Sequence, residues 1–228
     1  MNSLKYRACL VITALLMTIN INSAVGQHIH MGLFVDPLIS WYSSDSRDVE
    51  GRGTRAGIAG GFNINFYFSQ NYAFSSGVTL LRSGGIQSYS DTTLYTIDGR
   101  AITVDQGSRV NYRGDYVMVP LGLRLRTNQI GYFSIFSDFG ISPFMRTKGV
   151  LSIPSADISN EPATGEFNRF GAGYHIQGGV EYSLGGTTHI IVGLGYDNSL
   201  TDITSNNPGQ TGNRSVQRML RFRAGLIF

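Results

Sequence analysis

Six charged side chains stand inside otherwise apolar, alternating stretches of the chain: Arg124, Arg126, Asp138, Glu181, Arg221 and Arg223. Unpaired ions in a low-dielectric interior cost several kcal/mol each, so such a set must either pair or face a polar passage. Pairing into a plug is the first expectation, with Arg221 and Arg223 facing acids across the interior; an ion or solute path is the alternative. Asn63, Asn65, His175 and Gln177 fall on the same faces. Of the four histidines, His175 alone lies near the middle of an alternating stretch, with Ser142 or Ser183 and Glu181 as conceivable partners for ester hydrolysis. No G-x-S-x-G sequence supports that chemistry. His28-x-His30 puts two imidazoles on one face but offers no third ligand, so no metal site is expected. Gly193-x-Gly195 has no helix after it and reads as close packing rather than a dinucleotide loop. Asn213-Arg-Ser is only formally a glycosylation acceptor. The expectation is a protein without catalytic residues, metal or cofactor.

The elements that carry these residues show a period of two. In Tyr116 to Arg126 the odd positions are Val117, Val119, Leu121, Leu123 and Leu125, and the even ones include Pro120, Gly122, Arg124 and Arg126. Leu220, Phe222, Ala224, Leu226 and Phe228 oppose Arg221, Arg223 and Gly225 in the same way. The longest run is Phe170 to Leu184, and Arg55 to Phe68 sets Ile58, Phe62, Ile64, Phe66 and Phe68 against glycines and asparagines. Shorter versions span 29–42, 72–83, 131–145 and 187–198. An aliphatic row backed by arginines suits a strand between lipid and a polar lumen better than a sandwich core. No amphipathic helical stripe competes with it.

Composition agrees. Only 14% of the 228 residues are charged, against roughly 25% in a typical soluble domain. A mean hydropathy of −0.03 is far too low for a bundle of membrane helices. Lys5 and Arg7, the apolar stretch Leu10 to Ile21 and the small residues Ala24-Val25-Gly26 describe an export leader over residues 1–26, leaving a barrel domain over 27–228. Cys9 precedes the apolar run and leaves with the leader, so no disulfide or thiolate site is available afterwards. The remaining 16 basic and 15 acidic residues are interspersed, which argues against nucleic-acid binding.

These stretches predict an all-β fold: an eight-stranded antiparallel up-and-down transmembrane β-barrel with long extracellular loops. Connections alternate between short (69–71, 127–130, 185–186) and long (43–54, 84–113, 147–167, 199–216), as a barrel with brief periplasmic turns requires. Within the second long loop, Thr93 to Ile97 and Arg100 to Val104 flank Asp98-Gly99, a hairpin signal, so strands three and four are expected to continue as a ribbon above the membrane. Aromatic girdles are expected from Trp41, Tyr42 and Phe144 on the outer side. Phe66, Phe68, Tyr72, Tyr132, Phe133, Tyr182 and Phe228 supply the periplasmic girdle.

The stretch Gly114 to Phe133, followed by Phe139-Gly140-Ile141, resembles the tyrosine, aliphatic, proline, leucine strand and following hairpin of the PorT-like outer-membrane β-barrel proteins of Bacteroidetes. Tyr116, Pro120, Leu121, Arg124, Gly131 and Gly140 carry the resemblance. It implies location in the cell outer membrane and, through the name-giving member, a connection with type IX protein secretion. The leading expectation is a noncatalytic accessory or scaffold barrel. Its partners would be outer-membrane lipid, the barrel-insertion machinery engaged through the C-terminal strand, and secretion-system or envelope proteins. A narrow channel or solute-binding barrel is the runner-up, and a membrane-embedded hydrolase centred on His175 the third reading.

Overall fold

The computed structural model describes residues 29–44, 49–89, 93–97, 100–104, 106–156, 158–162, 168–203 and 215–228. The proposed leader, His28, the Asp98-Gly99 turn and Asn213 lie outside them. Among the described residues thirteen strands follow in chain order: β1 Ile29–Ser44, β2 Val49–Gly53, β3 Arg55–Ser69, β4 Tyr72–Tyr89, β5 Thr93–Ile97, β6 Arg100–Val104, β7 Arg109–Met118, β8 Leu121–Arg126, β9 Phe133–Ile153, β10 Ile158–Pro162, β11 Phe170–Gly185, β12 Thr188–Ser199 and β13 Ser215–Ile227. Among the described residues the only helical element is a 3-10 turn, Pro154–Ala156.

Antiparallel pairing runs β1, β3, β4, β7 with β8, β9, β11, β12 and β13, and returns to β1. The ring therefore has eight staves, and closing it removes every long edge. The seam is fixed by the Gly32↔Ile227 to Ser44↔Ser215 register and by reciprocal bonds between Met31 and Phe228, Met31 N to Phe228 O at 2.9 Å and Phe228 N to Met31 O at 2.8 Å. The fourth stave, expected as one strand over 116–126, is split into β7 and β8. Pro120 has no N–H to give the ladder, and Val119 instead donates to the Pro143 carbonyl at 2.9 Å.

Burial is inverted relative to a soluble domain. Leu80, Val192 and Leu33 are 61%, 60% and 59% exposed on the outer face, whereas Asp36 and Glu181 are fully buried inside. Water would not solvate such an exterior; acyl chains do. On β4 the outward row runs Tyr72, Phe74, Ser76, Val78 and Leu80 before reaching Arg82, an apolar span of roughly 20 Å once strand tilt is allowed for. Among the described residues no helix is long and apolar enough to cross a membrane, and this barrel crosses with strands.

Two expectations need correction. Tyr42 does not join an outer girdle: it is 4% exposed and packs inside against Tyr112, ring centroids 6.0 Å apart. Neighbouring residues of a strand face opposite sides, and Trp41 takes the outward one. Phe144 shares the inward parity of Asp138 and Ser142, so it meets Tyr116 edge-on at 5.7 Å. Strands three and four of the ring, β4 and β7, continue past the apolar band, as expected, and other long connections are partly ordered as strand. β4 pairs with β7 as far as Ser88↔Arg109, β9 runs on to Ile153, and β2 and β10 add to the outer rim. Between β4 and β7, β5 and β6 form a separate ribbon registered from Thr93↔Val104 to Ile97↔Arg100.

Candidate functional site

The inward faces of β8, β9 and β11 bring four of the six singled-out charges together. Arg124, 1% exposed, donates through Nη1 to Asp138 Oδ2 at 3.0 Å and through Nη2 to Glu181 Oε1. Arg126 Nη1 reaches the other Glu181 oxygen at 3.4 Å. Gln177 Nε2 donates to Asp138 Oδ2 at 3.2 Å, and the Arg124 guanidinium lies 4.1 Å over the Phe136 ring. The register explains the grouping, because Arg124↔Asp138 and Gln177↔Asp138 are direct cross-strand pairs.

Arg221 and Arg223 do not reach Asp138 or Glu181 across the lumen. They are met by two acids on the strands beside them, Asp36 of β1 and Asp197 of β12, neither of which the sequence reading singled out. Arg221 grips Asp197 with two bonds, Nε to Oδ2 at 2.6 Å and Nη2 to Oδ1 at 3.0 Å, and reaches Asp36 through Nη1 at 3.2 Å. Arg223 holds Asp36 through Nη2 at 2.8 Å and Nε at 3.0 Å, with its guanidinium 3.7 Å above Phe34. Short cross-strand distances favour adjacent partners over remote ones. A signal was present: Met31, Leu33, Val35, Ile39 and Trp41 form an outward row in β1, which puts Asp36 inside, and Asp197 has the parity of Gly193 and Gly195.

The two clusters contain four guanidinium groups and four carboxylates, so each is neutral. Above them Gln87 Nε2 donates to Ser215 Oγ at 3.0 Å and Gln217 Nε2 to Ser83 Oγ at 2.7 Å. These bonds join β4 to β13, which are not neighbours in the ring, and therefore span the lumen. Apolar layers fill the remainder: Leu38, Leu81, Tyr116, Met118 and Met219 at mid-height, Tyr112, Leu151, Ile153 and Ile203 nearer the outer end, and Phe136, Ile191 and Ile227 at the other. Phe136 rests on Gly179 and Gly193, where an added Cβ would come within 2.9 and 3.2 Å of its ring. An interior cavity beside Ser142, Tyr116 and Gln217 encloses about 20 Å³, room for little more than a water.

Ser142 Oγ and His175 Nδ1 are hydrogen-bonded at 2.7 Å. A Cβ on Gly122 would lie 3.2 Å from the opposite ring nitrogen, so that nitrogen abuts backbone. Among the described residues no carboxylate is bonded to His175, and Glu181, proposed as its partner, is held by Arg124 and Arg126. His30 packs edge-on to Tyr67 at 5.0 Å, and no group of three ligating side chains that could hold a metal occurs among the described residues.

Aromatic side chains mark the apolar face at the end with the short turns. Phe68, Tyr72, Phe133, Tyr182 and Phe228 are all outward and exposed. Phe68 and Phe74 approach to 4.9 Å and Phe133 and Tyr182 to 5.0 Å. At the opposite end Trp41 is half-buried beside Arg218, and Tyr174 and Tyr196 lie 6.4 Å apart.

Similar architecture recurs among solved structures at low identity. Neisserial surface protein A aligns at 11% identity over 86% of this chain and 95% of its own, with a TM-score of 0.46. Ail, the attachment invasion locus protein of Yersinia pestis, aligns at 14% over 88% and 99% with 0.42. The outer membrane protein OprG from Pseudomonas aeruginosa gives 9% over 87% and 93% with 0.43. No curated protein matches the chain. At the level of sequence family the assignment is direct: residues 18–205 match the outer membrane protein beta-barrel domain, and the chain belongs to that family and resides in the outer membrane.

Proposed function

We propose that this barrel is a noncatalytic membrane scaffold that presents its outer strands and the β5–β6 ribbon to other envelope proteins. The observation that carries the reading is the filled lumen: among the described residues two neutral ion clusters, lumen-spanning amide bonds and three apolar layers occupy it, so recognition is assigned to the outer end. The Ser142–His175 bond lacks an orienting acid and lends catalysis little support. The PorT-like resemblance of the Tyr116 to Phe133 region favours an accessory part in type IX protein export among such roles. Removal of residues 1–26 as a leader and insertion through β13, which ends beside the lipid-facing Phe228, belong to the same proposal.

Two measurements test it. In planar bilayers the purified barrel should be electrically silent, and steady unitary conductance would favour the channel. Deleting residues 90–105 should leave a heat-modifiable barrel on gels while abolishing cross-linking to its envelope partners in native membranes; unchanged cross-linking would remove the ribbon from the contact surface. Periplasmic retention of cargo in a deletion strain tests the export role, and normal export removes it.

A further inference from the structure

Outside the barrel, the cross-strand register lines up two rows on the lipid face. The lower row is Val35, Gly60, Leu80 and Val117, neighbours on β1, β3, β4 and β7. The next row outward is Pro37, Ile58, Arg82, Asp115 and Lys148. Gly60 makes a dip between Val35 and Leu80, and a groove of about 470 Å³ opens over it, lined by these apolar residues and reaching Arg82 and Asp115. Adjoining it is a second hollow of about 230 Å³ formed by Arg82, Arg113, Asp115, Lys148 and Val150.

The charges in that hollow do not cancel. Asp115 is the single acid among three cations and is engaged by Arg82, Nε to Oδ1 at 2.7 Å and Nη2 to Oδ2 at 3.0 Å. The Arg82 side chain nevertheless remains 60% exposed. Among the described residues no hydrogen bond or close ion pair reaches its Nη1 or the Lys148 ammonium, which acts on Asp115 through its charge alone. Arg113 is steadied by Asn160, Nη2 to Oδ1 at 2.9 Å. A groove on the acyl-chain side, capped by a net positive cluster where the apolar band ends, matches one kind of molecule. Its tail is hydrocarbon and its headgroup carries phosphate at the level of Arg82 and Lys148.

We infer that the groove over Gly60 and the Arg82, Arg113 and Lys148 cluster form a binding site for a phosphorylated, acylated lipid of the outer leaflet. An acyl segment lies along Val35, Gly60, Leu80 and Val117, and the cations hold the headgroup phosphates. Asp115 limits affinity by occupying part of Arg82.

The test uses the full-length processed protein in phosphatidylcholine nanodiscs, with lipid retention read by native mass spectrometry. The probes are a hexa-acylated disaccharide lipid bearing two phosphates and the same lipid with its phosphates removed. Wild type should retain the phosphorylated form about tenfold better, on the scale of the attraction that each interfacial cation supplies. Arg82→Gln, Arg113→Gln and Lys148→Gln together should erase that preference, and Asp115→Asn should strengthen it. Gly60→Leu should weaken retention of both lipids, because a Cβ there meets only the Phe34 carbonyl at an ordinary 3.4 Å and the added side chain fills the groove without disturbing the sheet. Equal retention of the two lipids by wild type, or an undiminished preference in the triple variant, overturns the site. Complete displacement by excess pyrophosphate identifies an anion site without a lipid groove and overturns it as well. Heat-shifted gel migration reports folding; should the triple variant misfold, Gly60→Leu and Asp115→Asn decide.

Discussion

The interior arginines are valuable to this protein only in company. In the two ion clusters each guanidinium has at least one carboxylate, and two of these four stack on rings within about 4 Å, Arg124 on Phe136 and Arg223 on Phe34. Asp36, like Glu181, answers two arginines at once, and it is the carboxylate bonded to Arg223. Asp36→Ala should therefore destabilise the barrel by about 3–5 kcal/mol, the usual cost of stranding a buried ion. Urea unfolding from lipid vesicles, followed through the single tryptophan, Trp41, measures it. Replacing Asp36 and Arg223 together by Asn and Met should recover part of the loss; a double variant no more stable than Asp36→Ala would show that the pairing is not what matters there.

At the scale of strands, close approach of neighbouring backbones is set by glycine. A Cβ on Gly61 would stand 2.0 Å from the Val78 carbonyl oxygen and 3.0 Å from Thr79 Cα, so β3 and β4 meet at that point only because residue 61 has none. Gly61→Val should force the two strands apart and abolish the heat-shifted band on gels, whereas Gly60→Val, one residue along, should keep it. The tight turns also need glycine, with Gly186 at a φ of +60° between β11 and β12 and Gly131 at +65° between β8 and β9. Proline acts in the opposite sense in the fourth stave, where Pro120 interrupts the ladder between β7 and β8 without breaking the ring.

For the whole molecule, stability rests on closure. Every strand of the ring has two partners, and the first and last strands of the described chain, β1 and β13, pair to close it. A cysteine pair placed at Leu33 and Leu226, which face each other across that seam, should cross-link on oxidation in membranes, while Leu33 with Phe74, separated by β3, should not. The reverse pattern on gels would open the cylinder into a sheet. The same closure explains why polar residues gather inside: the lumen is too narrow for bulk water, so its charges pair with one another, while among the described residues the buried amides of Asn63 and Asn65 have no hydrogen-bond partner.

The sequence by itself determined the number of staves, their two-faced character, the short turns and the membrane environment. Each of these follows from alternation along a single strand, which is a local property. It also placed Arg124, Arg126, Asp138, Glu181, Arg221 and Arg223 on the inner face. Which acid meets which arginine depended on register between strands distant in sequence, and only the folded ring decided that Asp36 and Asp197, rather than Asp138 or Glu181, answer Arg221 and Arg223. The inward turn of Tyr42 shows the same limit, since the aromatic pair Trp41-Tyr42 marks a membrane boundary whichever ring faces out. The groove over Gly60 and the cations above it belong to five different strands, and a feature assembled across a sheet leaves no pattern along any one of them.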